Sequence, residues 1–206
     1  MATTTAQVGC EGQAQNTSRV QRMTNSSYLS YRCGVNTVNL SRLSVHSPKS
    51  SPVRPHLDTA RSYASRSGNV EVQLRCYHLA AELARAERAY DLARSEAEAG
   101  IHLADTCGFG HYAIELRLAL ARAQLDAGDP KAALPRAREA LDRSVHPECQ
   151  YAWGEADALH LCGVAHARLG ELDLARTRLT AAVAKREQLT HPGLAETRAE
   201  LGRIGV

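Results

Sequence analysis

The chain has 206 residues, a net charge of +3, 44% hydrophobic residues and only 4% aromatic ones. Ala, Leu and Arg dominate its second half, which favours close-packed helices over a sheet sandwich rich in Val, Ile, Tyr and Phe. The charge is uneven: residues 1–68 hold eight Arg or Lys against two acids, about +6, and residues 69–206 come to about −3. The second half therefore has no positive excess for a phosphate backbone.

Residues 1–68 carry 12 Ser, 7 Thr and 4 Asn, and their apolar residues follow neither a helical nor a strand period. Such a segment buries too little to offset the entropy of ordering and is expected to be a disordered tail. Its Ser- and Arg-rich, acid-poor composition also has the character of an organelle transit peptide. A start site placed too far upstream is the third reading. None of the six cysteines, Cys10, Cys33, Cys76, Cys107, Cys149 and Cys162, falls in a C-x-x-C pair. With no secretion signal, free thiols in a reducing cytoplasm are expected. No apolar run is long enough for a membrane span, so no membrane partner is expected.

From Asn69 onward apolar residues recur at helical spacing, which predicts helices over 70–87, 90–106, 112–127, 130–145, 153–169, 172–189 and 193–203. Gly128 ends one helix, Asp129 caps the next and Pro130 takes its first position. Near Arg88 no Gly or Pro separates the first two helices, so one long helix is an alternative there. Pro135 lies inside a predicted helix and should kink it or delay its start.

The sequence repeats itself. A shift of 42 residues lays Cys107 on Cys149, Phe109 on Tyr151, His111 on Trp153, Gly128 on Gly170 and Ala133 on Ala175, and it continues with Ala140 on Ala182. A shift of 40 lays Ala93 on Ala133 and Ala81 on Ala121. Small residues at such positions let two antiparallel helices cross closely. Ala121 and Gly163 do this on first helices; Ala93, Ala133 and Ala175 do it on second helices, where Ala182 is a further repeat position. Gly128 and Gly170 turn the chain between them. The repeats span about 70–106, 112–145 and 153–189, with a partial one over 193–206.

The stretch Leu159-His160-Leu161-Cys162-Gly163-Val164-Ala165-His166, followed by Gly170, Ala175, Leu179 and Ala182, resembles the tetratricopeptide repeat. The period of 40–42 is longer than the usual one, and His166 stands where the family carries tyrosine. In this it is similar to the C-terminal repeat region of large bacterial signalling ATPases and regulators. The resemblance implies an all-α superhelix of about three helical hairpins plus a C-terminal helix. The sequence has no Gly-x-x-x-x-Gly-Lys-[Ser/Thr] loop, so no ATPase site is expected in it.

The resemblance also implies that the first helices line a concave groove. It points to Arg75, His78, Glu82 and Arg85 on the first. It points to Glu115, Leu118, Arg122 and Asp126 on the second, and to Asp157, His160, Val164 and Arg168 on the third. A mixed-charge groove of this kind suits a protein or peptide partner with polar and apolar anchors. The alternative for each residue is a solvated face laced with salt bridges. Glu82, Arg122 and Val164 stand where a groove for chaperone carboxylate tails needs Asn-type donors, so such tails are not expected ligands.

No histidine pair has metal-ligand spacing with a third ligand nearby, and Gly108-Phe109-Gly110 follows no strand. No catalytic set, cofactor or metal is expected, and the chain reads as a non-catalytic interaction module. The runner-up is a nucleic-acid-associated regulator with residues 19–66 as a basic arm, although the charge balance makes nucleic acid a poor partner. The third reading is a remnant of a larger ATPase. The partial repeat leaves an apolar edge at Leu194, Leu201 and Ile204, which either caps the stack or docks on a partner or a second copy.

Overall fold

The computed structural model describes residues 53–205; what was read for residues 1–52 lies outside them. Among the described residues there are eight α-helices and no strand. The chain divides after Gly68 into two units.

In the first unit, α1 spans Val53–Ser67. This corrects the expectation of a disordered segment as far as residue 68. Pro55 falls in the first turn, where a missing N–H forfeits nothing. Leu57 and Ala64, seven residues apart, are its buried side chains. That short stripe is hidden in the sequence among Ser and Arg.

The second unit contains α2 (Val70–Ala86), α3 (Tyr90–Thr106), α4 (Gly110–Asp126), α5 (Pro130–Val145), α6 (Ala152–Arg168), α7 (Leu172–Gln188) and α8 (Leu194–Arg203). Every helix expected after residue 69 is present, with ends within two residues. Two starts are capped by side chains: Asn69 Oδ1 accepts from Val72 N at 3.1 Å, and Asp129 Oδ1 accepts from Ala132 N at 3.0 Å. Such a cap contributes roughly 1 kcal/mol. Pro135 does not delay α5, which begins at Pro130. The bond Pro135 forfeits lies in the second turn, near the helix end.

The turns explain the repeat. Positive φ angles occur at Gly68, Arg88, Gly108, Gly128, Gln150, Gly170 and Thr190, in steps of 20 residues with one step of 22 from Gly128 to Gln150. All but Gln150, which lies in the α5–α6 connection, close a helix in the left-handed conformation that satisfies its last carbonyls. The same bond recurs, from an N–H to the carbonyl five residues back: Ala89 to Ala84, Phe109 to Ala104, Asp129 to Gln124, Glu171 to His166 and His191 to Arg186, all at 2.8–3.0 Å. Most connections are three residues long. The α5–α6 connection is longer, and it alone turns a 40-residue period into 42. Arg88, at φ 61°, separates α2 from α3, so these are two helices.

Consecutive helices pack as hairpins. Ala93, Ala121, Ala133 and Ala175 are fully buried, as their crossing role requires, and so is the repeat position Ala182. At Gly163 an added Cβ would lie 2.6 Å from Leu179 Cγ, so α6 and α7 touch backbone to side chain there. One apolar cluster, including Ile114, Leu118, Leu161, Val164 and Leu179, runs from α4 to α7. Leu201 of α8 and Ile204 just after it pack on that cluster, and Leu194 is half-buried. The C-terminal helix thus packs on the last hairpin.

Cys76, Cys149 and Cys162 are thiols, but Cys107 is disulfide-bonded, which corrects the expectation of free thiols throughout. Burial pushes the Cys162 thiol up to about 11, as suits a packed, unreactive sulfur. No helix of the described residues is long and apolar enough to cross a membrane.

Candidate partner-binding face

The first helices α2, α4 and α6 are joined side by side through polar side chains at helical spacing. On α2, Arg85 binds Glu82 at 2.9 Å and reaches Asp126 of α4 at 2.7 Å. Arg122 of α4 lies between two acids: Glu82 at 3.4 Å and Asp157 of α6 at 2.7 Å. The other oxygen of Asp157 accepts from Arg186 of α7 at 2.7 Å. Arg186 in turn donates to Gly193 O at 2.7 Å and Thr197 Oγ1 at 2.5 Å, which holds α8. Arg85, Glu82, Arg122, Asp157 and Arg186 therefore form one alternating chain of charge from the first hairpin to the C-terminal helix.

Neighbouring first helices also share hydrogen bonds to or from uncharged groups. Arg75 donates to Tyr112 Oη at 2.8 Å, and the Tyr112 hydroxyl donates to Glu71 at 3.1 Å. Tyr151 donates to Glu115, and Arg168 donates to the Leu125 carbonyl. His111 packs on Tyr151 with ring centroids 4.2 Å apart, and Trp153 on His191 at 4.5 Å. His111 and Trp153 are matched by the 42-residue shift, and their partners Tyr151 and His191 lie 40 residues apart.

Burial makes the charge chain stronger than surface ion pairs. The side chains of Glu82, Asp157 and Arg186 are only 14%, 18% and 4% exposed. Burial alone would raise the Asp157 carboxyl, but Arg122 and Arg186 outweigh it and hold it below the usual carboxylate range. Glu82 is likewise raised by burial and then lowered further by Arg122 and Arg85. Arg122 feels the reciprocal effect: its acids overcome burial and raise its pKa. His160 is pushed down to about 3, first by burial and then by the nearby Arg186 charge. It is neutral near pH 7, and its Nδ1 lies 3.2 Å from Thr197 Oγ1.

Of the twelve residues expected to line a groove, Arg75, Asp126 and Arg168 are exposed, and His78, Glu82, Arg85, Glu115, Arg122 and Asp157 are partly exposed. Three are corrected: Leu118 is 0%, His160 5% and Val164 7% exposed. Leu118 and Val164 belong to the core because adjacent hairpins close over the middle of each first helix. His160 is sealed by Thr197 of α8. The remaining charges mostly pair with one another, so the salt-bridge alternative describes most of them.

Sequence reading missed Arg186 and Arg117, both 3% exposed. The signal for Arg186 was its register: it continues the buried stripe Ala175, Leu179 and Ala182 of α7. Arg117 sits between Leu116 and Leu118 and joins three helices, reaching Asp105 of α3 at 2.6 Å and Glu139 of α5 at 2.8 Å. Among the described residues no group of three His, Cys, Asp or Glu side chains is arranged to hold a metal ion.

Known proteins add one firm result. No family model matches the chain, and no curated protein matches it. Among solved structures, the crystal structure of the apo form of RapI superposes with a TM-score of 0.63 at 15% identity, covering 72% of this chain and 41% of that one. The chain therefore spans well under half of RapI. At this identity the likeness establishes a shared tetratricopeptide-like helical-repeat fold and nothing about what is bound.

Proposed function

We propose that the second unit is a non-catalytic interaction module whose α2–α4–α6 face docks a peptide or helix of a protein partner within a signalling or regulatory assembly. The observation that supports this is the row of first helices set in fixed register by bonds between neighbours, with the paired but exposed Arg75, Asp126 and Arg168 along it. A rigid helical row with spaced polar ends suits a partner helix laid across it, since little ordering entropy remains to be lost on docking.

Arg122 is a poor probe of this face, because reversing its charge breaks the array from within. Arg168 is the better one: it is exposed and meets α4 through a backbone carbonyl, outside the buried ion chain. Arg168→Glu should weaken partner binding about tenfold, as expected for one misplaced interfacial charge, while leaving the helical content intact. A photo-crosslinking residue placed at His78 or Arg168 should capture the partner, and one placed at Arg94 or Thr177 on the second helices should not. Capture from the second helices alone would remove the face from the account.

A further inference from the structure

The charge chain reaches beyond the face it joins. Glu82 is shared by Arg85 and Arg122, Arg122 by Glu82 and Asp157, and Asp157 by Arg122 and Arg186. Arg186 is buried at 3% exposure and fastens α8 through Gly193 O, Thr197 Oγ1 and, at 3.9 Å, Glu196. His191, in the connection leading to α8, adds a contact of 3.4 Å to the same Asp157 oxygen. The anchorage of the C-terminal helix thus draws on a carboxylate that is also claimed by the second hairpin.

We propose that this chain is a relay that couples the α2–α4 junction to the docking of α8. Each ion divides its attraction between two neighbours in a poorly screened site, so a change at one end alters how strongly the next ion is held. The sign must alternate. Removing the Glu82 charge leaves Arg122 to Asp157, with Glu115 a weaker attraction; Arg122 draws on the Asp157 carboxylate, and Arg186 is held less well. Removing the Arg85 charge commits Glu82 to Arg122, relaxes the claim on Asp157, and fastens Arg186 and α8 more firmly. A partner carboxylate that engaged Arg122 would act like the second change and tighten α8. That last consequence rests on the proposed docking, whereas the coupling does not.

The test is amide hydrogen exchange of α8 in the full chain, read at residues 194–203, for Glu82→Gln and Arg85→Gln. Trp153, the single tryptophan, packs against His191 beside the relay, and its acrylamide quenching gives a second readout. Glu82→Gln should speed α8 exchange, and Arg85→Gln should slow it, each by about threefold, within the range of couplings carried by such networks. Trp153 quenching should rise in the first and fall in the second. Faster exchange in both variants, or no change in either, would overturn the relay. The slowing by Arg85→Gln keeps the test decisive even where Glu82→Gln loosens the whole array, because general destabilisation does not slow exchange.

Discussion

The contacts within a hairpin and between hairpins differ in their balance of chemistry: ion pairs occur inside hairpins too, Arg117 with Glu139 and Asp157 with Arg186, but the links from one first helix to the next are mostly polar. Inside a hairpin, small side chains let backbones nest: Gly163 against Leu179, with fully buried Ala121, Ala133, Ala175 and Ala182 at the crossings. Between hairpins, apolar packing is joined by buried charge, with Arg122 bridging Glu82 and Asp157, and Arg117 reaching Asp105. Nesting is indifferent to partner identity, since any Ala stripe accepts any other. A charge chain is not: each ion needs its opposite at one height. The difference suggests that small residues provide closeness and the ions provide register, the role best attested for buried polar groups elsewhere.

The comparison can be broken from either side. The largest effect is expected for Arg186→Met, which leaves a buried carboxylate short of a cation and frees α8; it should cost about 3–5 kcal/mol in urea unfolding, the usual penalty for breaking a buried pair. Gly163→Val attacks the apolar side. Its side chain would meet Leu179 inside normal contact distance, and the overpacking should cost roughly 2–3 kcal/mol. Equal and small effects from both would erase the distinction.

Acid probes the polar side alone. Because the folded-state pKa of His160 is pushed down to about 3, the unfolded chain takes up a proton that the fold refuses. Stability should therefore fall as pH drops below about 6.5, on the order of 2 kcal/mol by pH 5 from this group. His160→Gln should flatten that decline in urea midpoints measured at pH 7 and pH 5. Asp157 and Glu82 act lower: their contribution is full above the ordinary carboxylate range and is lost as pH falls through their depressed values.

The smallest effect concerns the turns. Arg88 adopts φ 61° where the matching positions are Gly128 and Gly170. Arg88→Gly should therefore stabilise the protein by up to about 1 kcal/mol, seen as a higher thermal midpoint.

Those turns also mark what was legible in the sequence. Gly128 and Gly170 announced their helix ends, and the Ala and Gly periodicity announced seven helices and their pairing. Arg88, Gln150 and Thr190 could not be read from residue type: Arg88 and Thr190 are held left-handed by the closing bond of the preceding helix, and Gln150 lies within the longer α5–α6 connection. Their place in the 20-residue spacing was the only cue. The face was legible as a set of positions, but not which of them neighbours would cover: Leu118 and Val164 vanish into the core only once hairpins stack. Arg186 was missed because a charge on an apolar stripe reads as a break in the pattern, when it marks the point where the stripe meets Asp157 and α8.

The central claim is that ions hold hairpins in register, and a double-mutant cycle at the middle of the chain tests it most directly. Arg122→Met, Asp157→Asn and the double variant would be compared by urea unfolding. A coupling energy of about 1 kcal/mol or more is expected for two side chains bonded across the joint between hairpins. Costs that add within roughly 0.5 kcal/mol, as for independent sites, would contradict it.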